Sequence, residues 1–172
     1  MKIVNVKLSP QGVADGINEI LEYQKDVERK ARLLVQGLMD LGADIARIKI
    51  VQMGAVASGA LLSSVGVYYS PSLNAGFVRI TSDHAAFVEF GTGITGQLSP
   101  HPNGEYLSKV AWAYNTGPTI FITKDGEMGW YYPLPDGTWR FTDGMKSRPF
   151  MYETALELQR ICYTVAKDVF ST

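Results

Sequence analysis

The chain is poor in the residues that many functional classes require. Its 172 residues include one cysteine and two histidines. A single cysteine, Cys162, excludes an internal disulfide and a thiolate metal cluster. Sixteen Lys and Arg against seventeen Asp and Glu leave a formal charge of −1, which argues against a nucleic-acid binder that depends on a basic surplus.

Long apolar runs are also missing. None approaches the roughly 20 apolar residues of a membrane span, and Met1–Pro10 does not have the pattern of a signal peptide. We therefore expect a soluble protein made in a reducing cytoplasm, without a membrane partner. Apolar residues make up 46% of the chain and charged residues 19%, a globular mixture that can bury a core. The length predicts a single domain over 1–172.

The clearest pattern predicts a long helix over Ser9–Gln52. Apolar residues recur in Val27–Ile48 at alternating steps of four and three, which places them on one face. The pair Ser9–Pro10 is typical of a helix cap and first turn. Because glycine weakens a helix interior by about 1 kcal/mol relative to alanine, the sequence permits a break near Tyr23 or Gly42.

A second helix is predicted over Met151–Val169, where the same rhythm returns. Pro149 suits its first turn. Cys162 lies on the apolar stripe of this helix, and we interpret it as a buried small hydrophobic residue rather than a nucleophile.

Between the helices the apolar period falls to two, which is typical of strands. The predicted strands are Val65–Tyr69, Phe77–Ile80, Ala85–Phe90, Thr119–Thr123, Trp130–Tyr132 and Thr138–Phe141. Asp125–Gly126 and Asp136–Gly137 favour tight hairpin turns. The order predicts an α+β fold in which a long N-terminal helix and a C-terminal helix pack on a small antiparallel sheet.

Residues 91–147 are interpreted as a hairpin-rich insertion within the domain. This segment is rich in glycine and proline and contains all three tryptophans, Trp112, Trp130 and Trp139. A small hairpin element cannot bury so much aromatic surface by itself. We expect it to fold back on the sheet or to pack on another subunit.

Glu89 is the most conspicuous candidate residue, because it interrupts an apolar strand. We expect it on the solvent face of that strand, or paired across an interface with Arg79, Arg140 or Arg148. A catalytic or metal site with His84 is the alternative. Against it, residues five apart on a strand point to opposite faces, and the sequence indicates no second group that converges on Glu89.

The run Gly91–Gly96 formally matches a glycine-rich dinucleotide motif. That motif requires a helix to follow at once, and the proline-containing stretch 97–104, with His101 in a Pro-flanked loop, does not favour one. We interpret the run as a flexible exit from a strand. Neither a cofactor nor a metal is expected, and no catalytic residue is assigned.

Three stretches, Ser58–Val65, Ala85–Gly93 and Ser147–Leu156, occur in an order seen in one phage family. The most specific parts are Val-Glu-Phe-Gly-Thr-Gly and the Arg-Pro-Phe before the last helix. Over roughly Val27–Phe170 the chain resembles the tail-completion or neck (head–tail joining) proteins of long-tailed bacteriophages with non-contractile tails.

The resemblance implies a virion protein of the neck that is not an enzyme. Subunits would form a homo-oligomeric ring, such as a hexamer or a dodecamer, after assembly in the host cytoplasm. Portal-side connector proteins would lie on one side and the tail tube or tail-terminator protein on the other, with DNA passing through without specific binding. The predicted interface residues are Glu89, Phe90, Gly91, Thr92, Trp112, Trp130, Trp139, Arg148 and Phe150.

Two other functions remain open at this point. One is a small oligomeric enzyme that uses Glu89 with His84 or Arg148, and it requires those side chains to converge in one pocket. The other is a nucleic-acid-binding adaptor, whose affinity would fall with salt because phosphate contacts release counterions.

Overall fold

The computed structural model describes residues 3–56, 59–72, 74–114, 121–123, 125–134 and 136–171. Of these, 55% are helical and 17% lie in strands. The helices are α1 (Pro10–Gln52), α2 (Ala60–Ser63), α3 (Ala85–Phe90), α4 (Gly93–Leu98), α5 (Gly104–Lys109) and α6 (Phe150–Ser171). The strands are β1 (Val65–Ser70), β2 (Ala75–Ile80), β3 (Phe121–Ile122), β4 (Met128–Pro133), β5 (Trp139–Thr142) and β6 (Gly144–Met145).

The strands confirm the predicted α+β class and form two small antiparallel sheets. One sheet is the hairpin β1–β2, and the other has the order β3–β4–β5. The turns at Asp125–Gly126 and Asp136–Gly137 connect the strands of the second sheet, and both glycines have positive φ. The predicted strand at 119–123 is described only from Phe121, because Thr119 and Ile120 lie outside the described residues.

Helix α1 is continuous over 43 residues, about 64 Å at 1.5 Å per residue. The Ser9 side chain accepts a hydrogen bond from the Gly12 N–H at 3.1 Å, which confirms the predicted cap. No break occurs at Tyr23 or Gly42. Despite its length, neither α1 nor another helix in the described part of the chain is apolar enough to cross a membrane.

The C-terminal half of α1 packs on α6 and on the inner face of the β1–β2 hairpin. A Cβ atom added to Gly42 would lie 2.9 Å from side-chain carbons of both Leu158 and Val78. Lys49 forms an ion pair with Glu153 at 3.7 Å. Because Gly42 lies beside Leu158 and the later residue Lys49 beside the earlier residue Glu153, α1 and α6 run antiparallel. The core between these elements consists of Ala43, Ala46, Ile50, Ala55, Leu61, Val65 and Phe150.

The buried face of α1 differs from the predicted one by one residue. Leu41 and Ile48, both on the predicted stripe, are exposed, whereas Ala43, Ala46 and Ile50 are buried. A shift of one residue rotates the face by about 100°. The small side chains explain why this face is the buried one, because they let α6 and the hairpin approach the helix closely.

The predicted strand Ala85–Phe90 is wrong, because this segment is the helix α3. Its first turn begins where the Ser82 carbonyl accepts the Ala85 N–H. Ala85 and Val88, three residues apart, both pack on the core, which is a helical spacing. The flexible exit predicted at Gly91–Gly96 is also wrong, since most of it forms α4.

The two ends of the predicted insertion meet in space. Thr92 pairs with Met145 and Gly93 with Gly144 through isolated bridges. The segment between them contains α4, α5 and the second sheet. Its placement as one insertion over 91–147 remains a prediction.

Candidate functional site

Glu89 lies near the end of α3 and is 7% exposed. Its carboxylate accepts hydrogen bonds from the backbone N–H of Met151 at 2.9 Å and of Tyr152 at 3.0 Å. These two N–H groups are in the first turn of α6, where no carbonyl of the same helix can accept them. The positive end of the helix also favours a negative group. Glu89 therefore caps α6 from another element.

The predicted position of Glu89 was wrong. Its side chain is buried inside the chain, so it lies neither on a solvent face nor across an interface from Arg79, Arg140 or Arg148. The physical reason is that the start of α6 needs a buried acceptor at this point. A carboxylate with hydrogen-bond donors around it can be buried at an acceptable free-energy cost.

His101 is the second buried polar residue of the site, at 4% exposure. The Asn103 N–H donates to His101 Nδ1 at 3.1 Å, so Nδ1 carries a lone pair and the proton lies on Nε2. Nε2 lies 3.2 Å from Glu89 Oε1 and donates to it. All three partners of the carboxylate are donors, which is the arrangement that an ionised carboxylate requires.

Two hydrogen bonds to backbone carbonyl groups of α3 strengthen the junction between α3 and α6. The Ser147 hydroxyl donates to the Glu89 carbonyl at 2.5 Å, and the Arg148 N–H donates to the Val88 carbonyl at 2.9 Å. Phe150, the first residue of α6, is 1% exposed and belongs to the core. Hydrogen bonds to α3 thus fix residues 147 and 148, and burial in the core fixes Phe150, the first residue of α6.

Aromatic rings cover one side of this junction. The Phe90 ring lies 5.3 Å from the His101 ring, 5.9 Å from that of Tyr106 and 4.9 Å from that of Trp112. Trp112 Nε1–H also donates to the Gly91 carbonyl at 3.1 Å. Trp112 therefore packs within its own chain, but against the helix α3 and not on the expected sheet.

The other two tryptophans differ from each other. Trp130 is half-buried, and a Cβ atom added to Gly93 would lie 2.8 Å from its ring. Trp139 is 65% exposed. Among the predicted interface residues, Glu89, Gly91 and Phe150 are buried within the chain, whereas Trp139 offers a large free surface.

A cavity of about 470 Å³ opens beside Glu89 and His101, with Phe90, Tyr106 and Met151 in its walls. As placed, the carboxylate oxygens and both ring nitrogens already have hydrogen-bond partners, so the pair has no free nitrogen to accept a proton from a substrate. The described residues contain no cluster of His, Cys, Asp and Glu with the makings of a metal site.

The structure does not bring His84 and Glu89 together. His84 is exposed at the N-cap of α3, whereas Glu89 is buried near the other end of the helix. Sequence reasoning missed the histidine that does meet Glu89. His101 is 12 residues away in a loop, and no local spacing indicates such a contact.

A second candidate site lies on the N-terminal half of α1. Its residues Val13, Ile17, Ile20 and Leu21 are 45%, 54%, 53% and 48% exposed. Ile17 precedes Gly42 by 25 residues, close to seven turns of 3.6 residues. These side chains therefore continue the same helix face that packs on α6 and the hairpin. We call this set, defined by the four residues, the uncovered apolar face.

The described part of the chain leaves the uncovered apolar face about half exposed. Leu158 lies level with Gly42, and α6 ends 13 residues later at Ser171, level with about residue 29 of α1 at 1.5 Å per residue. The segment before α1 packs on Gly12 and Gly16 through Lys7 and Val6. Gly16 is about 100° around the helix from Ile17 but about 40° from Ile20, so this segment borders the uncovered apolar face at Ile20, which stays 53% exposed.

Comparison with known proteins adds no homologue. No family model matches the chain, and neither a curated protein nor a solved structure matches it.

Proposed function

We propose that this chain is a structural subunit of the neck of a long-tailed phage with a non-contractile tail. Its copies form a ring between the portal-side connector proteins and the tail tube, through which DNA passes. The observation that carries the proposal is the uncovered apolar face of α1. Its four aliphatic side chains are each about half exposed.

A contiguous apolar surface of this kind is typical of a protein-interaction site. Trp139 adds an exposed aromatic residue on the second sheet, and tryptophan is enriched at the centre of protein interfaces. A subunit that joins several neighbours needs more than one such surface. In a ring, one face of each subunit meets a different face of the next.

The polar residues of the chain support a mechanical role. Glu89 and His101, the buried pair beside the cavity, use their hydrogen-bonding atoms to hold α6 against α3. The formal charge of −1 suits a conduit for DNA, since a basic lining would retain the phosphates. The resemblance of 85–93 and 147–156 to neck proteins supports a position at the joint between head and tail.

The test is to make particles without this protein. We expect DNA-filled heads beside separate, finished tails in electron micrographs, and joined particles again when the protein is supplied in trans. The unchanged chain is the positive control, and a variant such as Glu105→Ala, at an exposed residue of α5, should join particles equally well. Joined, infectious particles in the absence of the protein would contradict the proposal.

A further inference from the structure

The β1–β2 hairpin is a sheet of two strands, and no third strand lies beside it in the part of the chain that the structure describes. Each strand has six residues, and their cross-strand pairs follow one another without a bulge. A strand with a neighbour on one side only presents unpaired backbone N–H and C=O groups on the other. The hairpin therefore has two free edges, one along β1 and one along β2.

A hydrogen bond next to the hairpin shows which backbone groups point to these edges. The Thr81 N–H donates to the Ser64 carbonyl at 3.3 Å, one position beyond the last pair of the two strands. Hydrogen-bonded and non-hydrogen-bonded pairs alternate along an antiparallel ladder. The N–H and C=O groups of Val65, Val67 and Tyr69 therefore point away from β2.

Arg47 agrees with this assignment at one end of β1. Its Nη2 donates to the Val65 carbonyl at 2.9 Å, on the side that β2 does not occupy. Val67 and Tyr69 remain, and we call them the β1 edge. By the same alternation Gly76 and Val78 point away from β1, and we call them the β2 edge. No other residue in the described ranges bonds to the backbone of either edge.

The two edges lack the features that usually keep a free strand from pairing. Natural edge strands are often very short or bulged, or they contain proline or lysine. The hairpin strands contain no proline, lysine or acidic residue, and Arg79 is their only charged residue. In the second sheet, by contrast, the outer strand β3 is two residues long. The hairpin edges are thus suited to accept a further strand.

A row of backbone donors and acceptors is complementary to another extended strand, and each copy of the chain offers two. Copies placed around a rotation axis point their β1 strands in the same sense. Since β1 and β2 are antiparallel within a hairpin, β1 of one copy and β2 of its neighbour are antiparallel as well. Like edges would instead pair about a twofold axis and stop at two copies.

We infer that the β1 edge of one copy pairs with the β2 edge of the next, so that the hairpins form one continuous antiparallel sheet around the ring. This inference rests on the proposed function and names the strands that join its subunits. Outward-pointing groups must meet outward-pointing groups, so the register between copies varies in steps of two residues. A hairpin of two strands is marginally stable, and further strands stabilise it.

Proline substitution tests the pairing through the backbone. Val67→Pro removes an N–H that points outwards, and an edge strand tolerates proline there. We expect the variant to stay folded by thermal unfolding and to weaken self-association about tenfold or more, because a hydrogen bond between copies is lost. Sedimentation measures this on purified protein, and incorporation into particles measures it where the chain alone is monomeric.

Val67→Ala is the matched control, because it shortens the same side chain and keeps the N–H. It should associate within about twofold of the unchanged chain. Unchanged association of a folded Val67→Pro protein would overturn the inference. An equal loss in Val67→Ala would also do so, since the side chain and not the backbone would then make the contact.

Cysteine cross-linking shows which edges meet and does not depend on the proline variant. In a Cys162→Ser background, Tyr68→Cys and Phe77→Cys are made as separate proteins; both positions are exposed, at 60% and 53%. We expect oxidation of the mixture to give about tenfold more linked dimer than either protein alone, because a disulfide requires close Cβ atoms. Arg79→Cys is a second partner for Tyr68→Cys, for a register shifted by two residues.

Two cross-linking results would overturn the inference. One is a protein that links with itself as strongly as the mixture does, which means that like edges meet. The other is the absence of a mixed dimer with both partners, in purified protein and in assembled particles. If particles lacking the protein still show unjoined heads and tails, either result rejects the strand pairing and leaves the proposed function standing.

Discussion

The two halves of α1 have the same apolar face but different side chains on it. The C-terminal half places Gly42, Ala43 and Ala46 against α6 and the β1–β2 hairpin. The N-terminal half has larger residues, such as Ile17 and Ile20, which stay about half exposed. Small residues allow close approach of elements in one chain, whereas large aliphatic side chains supply more contact area to a neighbour. One helix thus builds the core with its C-terminal half and leaves an apolar surface exposed on its N-terminal half.

The covered half depends on α6, and α6 depends on Glu89. Replacing Glu89 by Ala leaves the Met151, Tyr152 and His101 donors buried without an acceptor, so we expect a loss of about 3–5 kcal/mol in the free energy of unfolding. Urea denaturation measures it. Glu105→Ala, at an exposed position, is the matched control and should stay within about 0.5 kcal/mol. A stable Glu89→Ala protein would show that α6 needs no cap.

The same substitution on both halves of α1 tests the comparison directly. Ile50 is fully buried, so Ile50→Ala should cost about 2–5 kcal/mol through lost burial and the cavity left behind. Ile17→Ala should cost less than about 0.5 kcal/mol in dilute, monomeric protein and should impair self-association. Thermal unfolding of the two variants side by side gives the contrast. Similar losses would mean that the chain itself covers Ile17.

Trp112 and Trp139 give a second comparison, between a ring packed within the chain and an exposed one. Trp112→Ala removes ring contacts with Phe87 and Phe90 and a hydrogen bond to Gly91, and we expect it to cost about 2 kcal/mol. Trp139→Ala should leave the free energy of unfolding within about 0.5 kcal/mol while lowering the yield of joined particles. Urea denaturation measures the two losses of stability, and counts of joined particles measure the effect on assembly. A fully active Trp139→Ala protein would remove Trp139 from the interface.

Two glycines of α1 sharpen the comparison at a smaller scale. A Cβ atom at Gly37 meets nothing within 4 Å, so Gly37→Ala should stabilise the protein by about 0.5–1 kcal/mol through helix propensity. At Gly42 the same atom crowds Leu158 and Val78, and overpacking of about 1–3 kcal/mol should turn that gain into a net loss of about 1 kcal/mol. Measured stabilities of the two variants should differ in sign.

The smallest expected effect is a local one on the second sheet. Hydrogen bonds from the Thr138 hydroxyl and N–H lower the pKa of Asp136 from its ordinary value of 3.8. Because the pKa is lowered in the folded protein, this contact stabilises above the unfolded-state pKa and is lost as the pH falls through the folded one. Thr138→Ala should raise the pKa of Asp136 towards 3.8, as measured by an NMR titration. An unchanged pKa would exclude the hydroxyl as the main cause.

Periodicity and turn chemistry were enough to predict α1, α6 and most of the hairpin strands. Long patterns of three-and-four spacing and Asp-Gly turns are local signals, and the structure follows them. The buried face of α1 was harder to predict from the sequence. Small residues such as Gly42 and Ala46 are weak hydrophobic signals in a sequence. They nevertheless lie on the buried face, because they allow close packing of α6 and the hairpin.

The segment Ala85–Phe90 shows where local reasoning fails. Phe and Val favour strands, and six residues are too few to separate a strand from a helix by periodicity. The preceding Ser82 and Asp83 are typical of a helix start and were the available signal. The contact between Glu89 and His101 had no such signal, since it depends on how α3 and α6 meet.

The bonds from Glu89 to the start of α6 join residues 62 and 63 positions apart. The pairing of α1 with α6 spans a longer separation still. A chain that is mostly helical normally reaches its native state quickly, because its contacts are local, but rates fall as the mean separation of contacting residues rises. Here the entropy of closing those large loops must be overcome before the core can form, so refolding after dilution from denaturant should take milliseconds or longer, as in a β-rich domain.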